Sequence, residues 1–399
     1  MAADMDAGTD FGTAARAVPT PWDTTWDTTR DEPDLVVGPA LVRPPVDEQV
    51  KKGFGYRPEL DGLRALAVVA VFFSHVGWGR LTGGWIGVGI FFVLSGYLIT
   101  SILMSEWNRT GGIALKRFYL RRLLRLYPAL LVVLVFCAFF APVFGDGGTI
   151  GGYLLSALAT GLYVQDFVVG LTGSAHGGFL HTWSLAVEEQ FYLVWPPVLI
   201  LVLRRRWSVL NAALTGVLIS WSLLIFTTRA RGKDVPLTPM TYVMPYSRAG
   251  ELLLGCALAA WLATSPAILR TAFARTVLAP ACFLGLGLMV LVAGPAWISS
   301  WMPLQIIATA LLAAGLIVGL VADSGQPVSQ LLGFGPLVSL GVVSYGFYLF
   351  HLPLLDLSVK YLPGPWAGQV VVALGLTVAA AFASYRFIEK PLLRLKNRI

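Results

Sequence analysis

Charge is what this chain has least of. Asp, Glu, Lys and Arg make up 13% of its 399 residues, roughly half the share of an ordinary soluble domain. Together with 56% hydrophobic residues, that excludes a water-soluble enzyme and leaves no nucleic-acid partner to expect. Histidine is scarce too, four in all. Neither these nor the acidic residues show the spacing of metal ligands, so no metal is expected. The three cysteines, Cys137, Cys256 and Cys282, fall inside apolar segments, where cysteine packs as a small hydrophobe, so neither a disulfide nor a metal site is expected of them. No internal repeat is visible. The N-terminal stretch has no apolar run and does not read as a signal peptide.

What the chain has in quantity is long apolar blocks. Eleven occur, near 60–77, 85–104, 127–144, 151–169, 182–203, 209–227, 242–264, 276–294, 303–322, 334–357 and 366–387. Most are long enough for a helix of about 20 residues that crosses a bilayer. The fold class is therefore an all-α polytopic membrane protein.

Basic residues set the orientation, because cytoplasmic loops are rich in Lys and Arg. The densest clusters are KRFYLRRLLR at 116–125, RRR at 204–206 and RFIEKPLLRLKNR at 386–398. If all eleven blocks span and the first cluster is inside, the other two land outside. If block 151–169 enters and leaves by one face, all three clusters lie inside, with Lys51, Lys52, Arg57, Arg270 and Arg275. That block ends in Gln165 and Asp166, poor residues to face lipid, and irregular backbone at membrane depth is tolerated where protein surrounds it. The expectation is about ten transmembrane helices plus a re-entrant element, both termini cytoplasmic. Its cost is Arg229, Arg231 and Lys233 in an outer loop.

Acidic residues concentrate at the start: residues 1–50 hold ten of the 22 acidic residues and three of the 29 basic ones. With its Pro, Thr and Gly content, segment 1–52 is expected to be a disordered, acidic cytoplasmic tail, and 53–399 the integral-membrane domain. Because Ile399 follows closely on the last block, no appended soluble domain is expected after it.

Two sets of polar residues interrupt the apolar helices. In LDGLRALAVVAVFFSHV, Arg64 and His75 are eleven residues apart, which puts them within about 20° of one helix face and about 16 Å apart along the axis. Ionisable groups at that depth face a protein interior or a wet cavity. His75 reads either as a core histidine bonded to a neighbouring helix or as a base for a hydroxyl. In LHTWSLAVEEQFYLVWPP, His181, Ser184, Glu188 and Tyr192 follow i, i+3 and i+4 steps and form one stripe, while Glu189 points about 100° away. Two adjacent carboxylates call for a partner; Arg64 or Arg248 would serve structurally, and support of the imidazolium form of His75 would serve catalysis.

Smaller signals read as structural. Arg248 and Glu251 can pair within their own helix. Ser95-Gly96 fits a close helix contact, and Tyr345, Tyr348 and His351 fit anchors at an outer interface, with a direct role for His351 as the lesser reading. Segment 105–126 ends in a basic amphipathic helix that suits anionic lipid or a phosphorylated ligand.

The runs YRPELDGLRALAVVAVFFSH, FFVLSGYLIT, RFYLRRLLRLYPALL, HTWSLAVEEQFYLVWP, SYGFYLFHLP and YRFIEKPLLRL, in this order from Tyr56 to Leu395, resemble the membrane-bound acyltransferase family 3 of bacterial O-acyltransferases. The resemblance implies a ten-helix acyltransferase domain and a set of roles. Its basic-x10-His motif falls on Arg64 and His75. Its Arg-x-x-Arg motif falls on Arg122 and Arg125, implied to contact the acyl donor, usually acetyl-CoA. Its Ser-x-x-x-Glu-x-x-x-Tyr motif falls on Ser184, Glu188 and Tyr192. Many members carry an appended extracytoplasmic domain; none is expected here, which leaves open whether the acceptor is modified within the membrane core or with a partner protein.

The expected activity is transfer of an acyl group, acetyl by default, from cytoplasmic acyl-CoA to a hydroxyl of a cell-envelope glycan, a glycolipid or a small molecule. His75 would act as base or acyl carrier with Glu188 in support, Arg64, Arg122 and Arg125 would bind the donor, and Ser184, Tyr192, His181, Glu189 and Arg248 would support the site. Arginine forks suit the phosphates of coenzyme A. The alternative class is a proton-coupled secondary transporter or a lipid or glycan flippase; it lacks the paired broken helices and internal repeat that such folds show.

Overall fold

The computed structural model describes residues 56–76, 82–144, 148–230, 239–294 and 301–392. The expectations for segment 1–52, Arg231 and Lys233 lie outside these residues. No strand occurs among the described residues.

Helix α1 (Pro58–His75) starts with proline at its first position and Glu59 and Asp61 in its first turn, the residues that a helix N-terminus favours. Helix α2 (Ile86–Thr110) stops at Gly111, whose left-handed φ of 72° lets its N–H cap the Trp107 carbonyl, a glycine C-cap. The basic α3 (Leu115–Phe144) follows. The block expected to re-enter is divided. Helix α4 (Ile150–Gly161) is capped by the Thr149 side chain, and α5 (Gln165–Thr172) is closed by Gly173. Between them Tyr163 takes a φ of 54°, a conformation that breaks a helix. With 12 and 8 residues, neither piece has the length of a span. Gln165 and Asp166 are fully buried.

A 3-10 turn, Leu180–Thr182, leads into α6 (Trp183–Arg204). Then come α7 (Val209–Arg229), with Ser208 as its N-cap, the short α8 (Pro239–Val243), and α9 (Pro245–Thr264). Helices α10 (Ala279–Val292), α11 (Met302–Ala322), α12 (Pro327–Leu332), α13 (Gly335–Val342), α14 (Ser344–Tyr361) and α15 (Trp366–Ser384) complete the described order.

By length and apolarity, seven helices can cross a membrane, and the pair α13 and α14, bent by 75°, brings the number to eight. Two of the blocks read as spans fall outside that set. Helix α1 is 18 residues long with Glu59, Asp61 and Arg64 within it, and α9 is 20 residues long with Arg248 and Glu251. Their charges lower their apolarity, and each is packed among other helices: α1 against α2, α12, α13 and α14, and α9 against α2, α6, α7 and α11. Lipid does not have to tolerate what protein surrounds.

Helices α2 and α9 cross at near backbone contact. A Cβ on Gly96 would stand 1.8 Å from the Leu252 carbonyl oxygen, and one on Gly255 would stand 2.1 Å from that of Val93. Small residues at such crossings let van der Waals packing replace the hydrophobic drive that lipid removes.

Candidate functional site

Three elements carry the polar stripes: α1, α6 and α14. His75 is the last residue of α1 and is half-buried. Its Nδ1 lies 2.9 Å from the Val71 carbonyl one turn back. A carbonyl only accepts, so Nδ1 carries the hydrogen and Nε2 of the neutral ring presents a lone pair. The His75 ring meets that of His351 edge to face at 5.1 Å between centroids. His351 in turn meets His181 at 4.8 Å, and Tyr348 packs against both, 5.3 Å from His181 and 5.2 Å from His351.

His351 is fully buried, and its Nδ1 lies 2.6 Å from the Tyr348 carbonyl, which fixes the same tautomer. Its Nε2 has no hydrogen-bond partner. A buried acceptor left in that state costs about 1–3 kcal/mol. The His181 ring lies against the backbone of Gly178, Tyr348 and Leu349 without an aligned hydrogen bond. Ser184 and Tyr348 share a hydroxyl–hydroxyl bond of 2.6 Å, and the Tyr348 hydroxyl also donates to the His181 carbonyl at 2.9 Å.

One turn further along α6, Glu188 accepts from Ser95 at 2.5 Å and from Tyr192 at 2.7 Å on a single oxygen. That ties α6 to α2. No contact between Glu188 and His75 is present among the described residues; the imidazoles of His181 and His351 stand beside His75 instead. Glu189 does not pair with Arg64 or Arg248. It forms a fork with Arg122, with distances of 2.6, 3.0 and 3.1 Å. The same guanidinium lies 3.3 Å over the Tyr192 ring, a cation–π contact that adds to the pair.

Arg125 is one turn from Arg122 on α3, exposed, and within electrostatic reach of Arg64, Arg122, Asp61 and Glu389. Arg64 pairs loosely with Asp61 at 3.4 Å. The three arginines that the sequence singled out therefore come together, about 16 Å along α1 from His75. The stripes of α1 and α6 run antiparallel. His75 and His181 share His351 at one end; Arg64, Arg125, Arg122, Glu189 and Tyr192 gather at the other; Glu188 lies between them.

Arg248 stands apart from both ends. It is fully buried and pairs with Glu251 at 3.1 Å. Around its guanidinium are Tyr242 at 4.8 Å, Phe92 at 5.5 Å and Trp183 at 5.7 Å. Such a pair, desolvated on all sides, survives by mutual compensation and the aromatic cage.

Two residues read as interfacial anchors prove to be interior: His351 is wholly buried and Tyr348 nearly so. The bend at Val343 separates α13 from α14, and α14 packs against α1, α3 and α15. The sequence signal was present, since Tyr348 and His351 are three apart on one helix face, but only packing reveals which face meets His75. Among the described residues no group of three or more His, Cys, Asp or Glu is arranged to hold a metal ion.

With this geometry in hand, the comparison with known proteins is decisive at the family level. The model of the acyltransferase domain of family 3 matches residues 57–386. The chain belongs to this acyltransferase family. It is 33% identical over 359 residues to the peptidoglycan O-acetyltransferase OatA of Listeria monocytogenes, covering 84% of this chain and 56% of that protein. It is 34% identical over 367 residues to the O-acetyltransferase OatA of Staphylococcus aureus strain NCTC 8325, covering 84% and 57%. The chain thus spans little more than half the length of the curated relatives it matches. No solved structure gives a significant match. The matched family segment takes in α1 through α15, and so both ends of the two antiparallel stripes.

Proposed function

We propose that this acyltransferase moves an acetyl group from acetyl-CoA, bound on the cytoplasmic side, to a hydroxyl of a cell-envelope glycan. The observation that carries the reading is the pair of antiparallel stripes, with arginines at one end and imidazoles at the other. The relatives' names, peptidoglycan O-acetyltransferase and O-acetyltransferase, support the acetyl group and the glycan. The arginine end suits the phosphates of coenzyme A, since guanidinium stays protonated and grips phosphate in a fork. Arg64 and Arg125 have fewer commitments than Arg122, which Glu189 already holds.

The donor's pantetheine arm would run between α1 and α6 toward His75. There Nε2 takes the proton of the acceptor hydroxyl as its oxygen bonds to the thioester carbon. The carbon–sulfur bond breaks, and the thiolate takes the proton back from the imidazolium. Glu188, bonded to Ser95 and Tyr192, supports this route by holding α2 against α6. Ser184 fixes the Tyr348 hydroxyl beside the imidazoles.

The test uses purified protein with labelled acetyl-CoA. Thioester consumption that His75→Ala abolishes, in protein that still inserts into the membrane, supports the reading; full activity in that variant would falsify the role of His75. Absence of consumption with any acyl-CoA, together with proton-driven solute uptake in vesicles, favours transport instead.

A further inference from the structure

We propose that the imidazole end contains a second, unassigned subsite built on His351, which holds a hydroxyl next to the one that is acylated. The acceptor is then a polyol such as a sugar, recognised through two neighbouring hydroxyls, and not a lone alcohol. This rests on the reading of His75 as the base.

The argument starts from tautomers. Backbone carbonyls hold Nδ1–H of both His75 and His351, at 2.9 and 2.6 Å. Each neutral ring therefore offers only a lone pair at Nε2. Two lone pairs cannot bond to each other, so the edge-to-face contact at 5.1 Å satisfies neither, and His351 Nε2 remains buried without a partner. The missing hydrogens must come from what binds there. A single hydroxyl has one hydrogen, which the reaction gives to His75. A second hydroxyl on the adjoining carbon supplies the other. His181, 4.8 Å beyond His351 and equally buried, keeps one N–H in its neutral form and so adds a donor for a hydroxyl oxygen. Acceptors and a donor within one small space are the complement of a sugar edge. A core histidine kept only for packing gains nothing from a locked tautomer whose other nitrogen is buried without a partner, in a ring that touches the base.

The experiment pairs enzyme variants with substrate variants. The full chain in nanodiscs is given acetyl-CoA and methyl N-acetylhexosaminides, the acylated position is mapped by mass spectrometry, and monodeoxy analogues lacking each neighbouring hydroxyl are compared. Loss of one partner from a buried hydrogen bond predicts about a tenfold fall in kcat/KM. Removal of the right neighbouring hydroxyl should cause that fall in the wild type. His351→Ala should cause a similar fall on the parent glycoside and little more on that deoxy analogue, the non-additivity that marks a direct contact. The loss should appear in the acceptor KM rather than in the acetyl-CoA KM, and His351→Gln, which keeps an acceptor oxygen, should recover part of it.

Equal falls on both acceptors overturn the proposal, as does an absence of transfer to every glycoside. If His351→Ala does not fold, the substrate arm alone decides: wild-type enzyme indifferent to every neighbouring hydroxyl overturns it. Transfer retained in His75→Ala would instead defeat the assignment of the base and leave the His351 coupling readable.

Discussion

Arg122 and Arg125 sit one turn apart, yet they have different duties. Arg122 is spoken for: Glu189 grips it from two sides and the Tyr192 ring lies beneath it. Arg125 makes no ion pair or hydrogen bond with a described residue and is exposed. Substituting Arg125→Gln should therefore raise the acetyl-CoA KM several-fold with the melting temperature nearly unchanged. Arg122→Gln should also destabilise the fold by about 1–3 kcal/mol, since it leaves the half-buried Glu189 carboxylate without its partner. Thermal unfolding in detergent and steady-state kinetics on both variants separate the two effects. A kcat loss at constant KM in Arg125→Gln would remove that residue from the donor site. At this scale the sequence displayed what one helix can display. Arg64 with His75, and His181 with Ser184, Glu188 and Tyr192, share faces because spacing alone fixes a face. Arg248 and Glu251, three apart, do pair. Partners on different helices were hidden: 67 residues separate Arg122 from Glu189, and nothing local says that His351 meets His75.

At the level of helices, the crossing of α2 with α9 is among the most demanding contacts in the described fold. Gly96→Ala or Gly255→Ala would drive a methyl group into opposing backbone that no side-chain rotation can move. Overpacking of this kind costs about 1–3 kcal/mol where neighbours can yield; here they are main chain, so the loss should reach that range or exceed it. Reduced yield of folded protein and a lower melting temperature are the expected readouts. Gly287→Ala on α10 is the control, because no heavy atom lies within 4 Å of its Cβ position. It should be neutral or stabilising by up to about 1 kcal/mol through helix propensity. A Gly96→Ala protein as stable as Gly287→Ala would show that α2 and α9 are not in backbone contact. Helix identity was largely legible from apolar block length. The division of block 151–169 was legible only in outline: its polar end argued against a span, but the left-handed turn at Tyr163 is imposed by a residue with no intrinsic preference for it.

For the molecule as a whole, the antiparallel stripes matter only if their ends lie at different depths of a membrane. The described basic residues offer a way to test this. Arg122, Arg125, Arg204, Arg205, Arg206, Arg270, Arg275 and Lys390 all fall at helix ends that the positive-inside rule assigns to one side. The loop between α14 and α15 falls at the opposite ends. His75 closes α1 toward that opposite side, while Arg64 starts it near the basic one. Donor and acceptor would then approach from different faces and meet along the stripes of α1 and α6. Cysteine labelling can read this directly because Cys137, Cys256 and Cys282 are all buried and should stay silent toward a membrane-impermeant maleimide. Arg205→Cys should react only from the cytoplasmic side, in inverted vesicles or after permeabilisation, and Pro363→Cys, exposed between α14 and α15, only from outside in intact cells. If both react from the same face, then the helices between Arg205 and Pro363 do not cross as the charge distribution requires. The imidazoles and the arginines would share one aqueous face, and a transmembrane route for the acyl group would have no structural basis.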